Sequence, residues 1–74
     1  MKRAELNKKI GQRIIQLREK KGLSQSDLAR ACNKDRQSIE KLENGKVNPT
    51  LFTLYEVAKA LEVSLDALVS ISTS

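Results

Sequence analysis

Residues 23–46 read LSQSDLARACNKDRQSIEKLENGK, and this run decides the fold. Ser24 is an N-cap residue with Asp27 in the turn it opens, which predicts a helix whose inward face carries Leu28, Ala29 and Cys32. Asn33 follows, at a position where a side chain that tolerates the left-handed conformation can stop the helix. Lys34 comes next, and its stem can cover apolar surface while its ammonium stays wet. Asp35 then caps a second helix from Arg36 to about Asn44, ended by Gly45. At 100° per residue, Arg36, Gln37, Glu40, Lys41 and Asn44 share an arc of about 140°, with Ile39 and Leu42 opposite. The polar arc therefore points outward if the two apolar residues are buried. Two short amphipathic helices joined by a tight turn have the form of a helix-turn-helix, whose second helix lies in the DNA major groove.

The rest of the chain reads as helices on either side of that pair. Leu6, Ile10, Ile14 and Leu17 recur at four, four and three and predict a helix over about residues 4–21. Lys20 and Lys21 suit its C-terminal dipole, and Gly22 supplies the stop. Gly11 lies within this helix at a cost of about 1 kcal/mol against alanine, which a closely passing helix would justify. After Pro49, Thr50 caps a helix with Leu51, Leu54, Ala58 and Leu61 inward. A last helix, over about 65–70, starts after Ser64 and presents Leu65, Leu68 and Val69. The expectation is all-α: one compact five-helix domain over residues 1–74, with the helix-turn-helix at about 24–44 and no strands.

Composition narrows the function. Seventy-four residues with 39% hydrophobic content support one core and not two. With no histidine and one cysteine, an internal disulfide is impossible, and Cys/His metal sites and histidine-based nucleophile pairs are disfavoured. No metal, cofactor or enzymatic activity is expected. No apolar run suits a signal peptide or a membrane span, so no membrane partner is expected and the cytoplasm is the expected location, with nucleoid association when bound to DNA. Cys32 is expected in the core rather than as a redox sensor. The net charge of +5 is unevenly spread. Residues 1–22 carry eight Lys/Arg against two acids, residues 23–49 five against four, and residues 50–74 one against three. A basic excess on one side suits phosphates, although lysine-rich composition also serves solubility.

Gln25, Leu28-Ala29, Ile39 and Glu43-Asn44-Gly45 carry a resemblance to the phage-repressor and controller-protein branch of helix-turn-helix regulators, over about Ile10 to Leu68. The resemblance implies a compact lambda-repressor-like domain. It also implies that the first, second and sixth residues of the recognition helix, here Arg36, Gln37 and Lys41, touch bases. Arg36 and Lys41 stand where that pattern often has glutamine, and guanine O6 and N7 are the acceptors that suit them. Asn33 and Glu62 replace customary glycines, and Lys34 replaces a customary aliphatic residue. Gln25 is implied to bond the DNA backbone and to prop the first recognition side chain. Ser24, Asn44, Lys46, Asn48 and Thr50 complete the expected phosphate contacts, two of them at helix amino ends. Glu40 can hold Arg36 as an i,i+4 pair or accept from a cytosine amine. Arg18 and Glu43 are implied to pair between helices.

One such module reads too few base pairs to identify a genomic site, which calls for a homodimer on a roughly palindromic operator. The apolar surplus in LDALVSIS places the expected contact at Leu65, Leu68, Val69 and Ile71, the other reading being core capping with a frayed tail. The expected function is a sequence-specific transcriptional regulator, repressor or controller, with double-stranded DNA as its partner. The alternative is a protein-interaction module or antitoxin-type partner that keeps the fold without reading DNA.

Overall fold

The computed structural model describes residues 1–71 and contains five helices: α1 (Arg3–Lys20), α2 (Gln25–Ala31), α3 (Arg36–Glu43), α4 (Leu51–Ala60) and α5 (Leu65–Leu68). Among the described residues there is no strand. The last four helices all start the same way. Ser24, Asp35, Thr50 and Ser64 each have extended backbone and accept a hydrogen bond from the backbone N–H three residues ahead. At Ser24 the bond is reciprocal, because its own N–H donates to Asp27 Oδ2 at 2.9 Å, completing a capping box.

The first four helices also end alike. Gly22, Asn33, Gly45 and Glu62 have φ of +75°, +58°, +70° and +60°. In each case the next N–H reaches back to a carbonyl of the last turn: Leu23 to Arg18, Lys34 to Ala29, Lys46 to Lys41 and Val63 to Ala58. Asn33 and Glu62 accept a left-handed conformation that costs a residue with a Cβ about 1–2 kcal/mol. Glu62 gains an ion pair with Lys21, which ties the end of α1 to the α4–α5 turn.

Packing is built around α3. It lies on α1 and α2, α4 packs on α2 and α5, and α5 closes back on α1. The core consists of Ile10, Ile14, Leu28, Ala29, Cys32, Ile39, Leu42, Leu54, Val57, Ala58, Leu61 and Leu68. Burial holds the Cys32 thiol above its ordinary pKa, against a smaller opposing pull from Lys34. Gly11 has the close neighbour that its place in α1 calls for. A Cβ there would lie 2.3 Å from the Glu43 carbonyl oxygen, so α1 and the last turn of α3 meet backbone to backbone. One at Gly45 would lie 2.8 Å from Lys8 Cα.

Several burial expectations need correction. Leu51 is 70% exposed and Leu6 is 38% exposed, because both lie in the first turn of their helices, beyond the neighbours that cover the next turns. On α1 the buried face is instead Asn7, Ile10, Gly11 and Ile14. Val57, absent from the expected stripe of α4, is completely buried. The ammonium of Lys34 is not simply wet: it lies 3.2 Å from Glu56 and pins the α2–α3 turn to α4. The C-terminal helix stops at Leu68, with Val69 as its C-cap. Leu68, expected in a dimer contact, is completely enclosed by the monomer core. Leu65 and Ile71 pack partly against that core, which leaves Val69 as the exposed apolar residue of the expected group. Ser72, the end of the expected contact segment, lies outside the described residues.

Candidate nucleic-acid interface

The outward face of α3 follows from its inward one. Ile39 is fully buried and Leu42 nearly so, which rotates Arg36, Gln37, Lys41 and Asn44 into solvent and leaves Glu40 half-exposed. Glu43, one residue before the end, turns the other way and is 2% exposed. A carboxylate that deep needs partners, and it has three hydrogen bonds. Arg18 donates from Nε to Oε2 at 2.6 Å and from Nη2 to Oε1 at 3.2 Å, and Gln25 Nε2 donates to Oε1 at 3.0 Å. Arg18 also donates from Nη1 to the Leu23 carbonyl at 2.8 Å. One guanidinium thus joins α1, the entry to α2 and the end of α3.

The chain of contacts continues outward to the surface. Gln25 Oε1 accepts from Arg36 Nη1 at 3.3 Å, and the same nitrogen lies 3.5 Å from Glu40 Oε2. The side chain of Arg36 is therefore tethered from two sides. One tether runs through Gln25 to the buried Glu43, and the other is the i,i+4 carboxylate on its own helix. The structure brings Arg18, Glu43, Gln25, Arg36 and Glu40 into one continuous network, which no helical period predicts because its members span α1, α2 and α3.

Lys41 faces elsewhere. It lines an open trough of about 800 Å³ between the α2–α3 turn and the loop entering α4, together with Ser38, Asn48 and Thr50. Sequence reasoning passed over Ser38, which is exposed beside Lys41 on the trough wall. Its position at the edge of the polar arc was the available signal. Ser24, Lys46 and Asn48 are exposed. The Thr50 hydroxyl is used internally, accepting from the Thr53 N–H at 3.1 Å and donating to Thr53 Oγ1 at 3.0 Å. What Thr50 offers a ligand is backbone at the amino end of α4. Two of the caps hold their charge firmly. The Ser24 N–H keeps the Asp27 carboxyl below its usual range, and the Ser38 N–H does the same for Asp35.

Among the described residues no helix is long and apolar enough to cross a membrane, and no group of three or more His, Cys, Asp or Glu side chains is placed to hold a metal ion. Comparison with known proteins agrees with the geometry. The helix-turn-helix family HTH_3 matches residues 14–68. An uncharacterized HTH-type transcriptional regulator of Sinorhizobium fredii is 39% identical over 66 residues, covering 89% of this chain and 86% of that protein. The immunity repressor of Bacillus phage phi105 is 38% identical over 64 residues, which are 86% of this chain but 44% of the repressor. Among solved structures, the restriction-modification controller protein C.AhdI of Aeromonas hydrophila superposes with a TM-score of 0.83 at 38% identity, covering 89% of this chain and 94% of that one. The chain belongs to the HTH_3 helix-turn-helix family, whose relatives here are transcriptional regulators.

Proposed function

We propose that this helix-turn-helix chain is a sequence-specific transcriptional regulator that binds a roughly palindromic operator as a homodimer, with α3 in the major groove. The observation that carries the reading is the tethered Arg36. Its guanidinium is held at the surface by Gln25 and Glu40, and Gln25 is itself anchored on a buried carboxylate. A merely solvated arginine has no need of such a scaffold, whereas a group that reads the edge of a guanine gains from being preorganised. Arg36, Gln37 and Lys41 read bases. Ser24, Gln25, Asn44, Lys46, Asn48 and the amino end of α4 at Thr50 hold the phosphates on either side. Gln25 can do both, since one hydrogen of its Nε2 goes to Glu43 and the other can face a phosphate. The protein works in the cytoplasm, on the nucleoid when bound.

Selection of duplexes from a random pool by the purified protein tests this. A symmetric consensus with half-sites about one helical turn apart is the expected result. Arg36→Ala should then cost roughly 1–3 kcal/mol on that site and relax selectivity at one symmetric pair of positions. A pool that stays unenriched, or an equal loss on random DNA, would refute the assignment.

A further inference from the structure

The match to the family starts at residue 14, and Lys2, Arg3, Lys8, Lys9 and Arg13 all lie ahead of it. Gly45 shows where the middle of that segment sits. A Cβ at Gly45 would lie 2.8 Å from Lys8 Cα and 3.2 Å from Lys8 Cβ, so the stem of Lys8 leaves α1 directly beside the turn of Asn44, Gly45 and Lys46. Lys8 is exposed, and among the described residues no acid pairs with it. Glu5, the acid one turn ahead, lies 3.9 Å from Lys9 instead.

Asn7 supplies a second, independent observation. The residue is 9% exposed, yet its amide makes no hydrogen bond among the described residues. No side-chain nitrogen or oxygen there is both fully buried and unpartnered, so what Asn7 leaves at the surface is the amide itself. It belongs to the face of α1 that includes Gly11, where the helix meets the Glu43 carbonyl at the end of α3. A polar group with a buried stem and no internal partner calls for one from outside.

We infer that Asn7 and Lys8 form a further phosphate site, on α1, which takes one more phosphate of the DNA backbone beyond those held by Asn44 and Lys46. The inference rests on the proposed operator binding. Lys8 supplies a charge that releases a counterion, and Asn7 an amide donor on a rigid helix beside it. Continuity with α3 selects DNA over an acidic protein. Successive phosphates of one strand advance only about 3.4 Å along the duplex axis, a step that a lysine stem spans. The site positions the duplex and reads no base.

Salt titration of the full chain decides it, on a duplex enriched from the random pool and on a random duplex, over about 50–200 mM potassium chloride. Lys8→Gln should make the slope of log K against log salt shallower by about 1 per bound copy, and should weaken both duplexes by the same factor. Lys59→Gln removes the same charge from the last turn of α4 and should keep the wild-type slope. Asn7→Ala should weaken both duplexes equally and leave the slope unchanged, because the amide carries no charge. If Asn7→Ala fails to fold, Lys8→Gln still decides, since Lys8 is exposed. A wild-type slope in Lys8→Gln would overturn the site and leave the operator reading standing. An equal drop in Lys59→Gln would overturn it too, because the effect would then belong to net charge. If the slopes change as expected but no duplex is enriched over random DNA, the phosphate site stands and the operator reading falls.

Discussion

Removing Arg18 tests how far the buried carboxylate governs the domain. In Arg18→Met the stem volume is kept and the charge lost, which leaves Glu43, with its side chain 1% exposed, on the single remaining bond from Gln25. Breaking a buried pair from one side costs roughly 3–5 kcal/mol. The Gln25 bond survives, so the lower end, about 3 kcal/mol, is expected. For a chain of this length total stability is on the order of 4–11 kcal/mol, so the variant should fold with little margin. Its thermal midpoint should fall by roughly 12–24 °C, at ~4–8 °C per kcal/mol. Arg18→Met with Glu43→Leu removes the stranded charge as well. It should cost only about 1 kcal/mol, mainly for the amide of Gln25 left without its acceptor. Urea titration followed by helical circular dichroism gives both numbers, with the slope checked for constancy. The reasoning fails if the single variant loses less than about 1 kcal/mol, or if the double variant is less stable than the single.

Gly11→Ala would stabilise an isolated helix by about 1 kcal/mol, but here the new Cβ would sit 2.3 Å from the Glu43 carbonyl oxygen. A net loss of roughly 1–3 kcal/mol in urea titration is expected, because backbone must move and not a side chain. Asp27 and Asp35 are held below their usual 3.8 in the fold by the Ser24 and Ser38 amides. Their contribution is therefore complete above the unfolded value and is lost as pH falls through the folded one. The thermal midpoint should be flat down to about pH 5 and drop below about pH 4, and Asp35→Asn should make the drop shallower. If each copy neutralises about four phosphates, log K against log salt for the dimer should slope near −7, and a flat plot would refute the phosphate assignments.

The helix starts and stops were legible because they are local. Each cap at Ser24, Asp35, Thr50 and Ser64 acts on a residue three positions away, and each left-handed stop acts on the turn just completed. The Arg18 to Glu43 contact spans 25 positions, and only the family resemblance pointed to it. The glutamate and glycine of Glu43-Asn44-Gly45 turn out to have packing reasons of their own. Glu43 holds Arg18, and Gly45 combines a left-handed backbone with a Cα that Lys8 approaches too closely for any side chain. A run that resembles a DNA-reading signature is thus partly a signature of how α3 rests on α1.

The misreadings of burial share one physical cause. A helical period gives the direction of a side chain about its axis but not whether anything lies beyond it. Leu6 and Leu51 have the direction of a core residue and overhang the core at a first turn. Leu68 sits in a four-residue helix, too short for any period to establish, and is the residue of the tail that the core takes completely. The consequence reaches function. Leu51 was reckoned among the residues that hold the monomer together, and Leu68 among those that pair it. In the structure Leu68 closes α5 onto the core, and Leu51 stands in solvent beside both aromatic rings. Of the expected pairing group Leu68 is unavailable without leaving a site where it is wholly enclosed, which leaves Val69 as the apolar side chain that α5 can offer a partner with no rearrangement of the monomer.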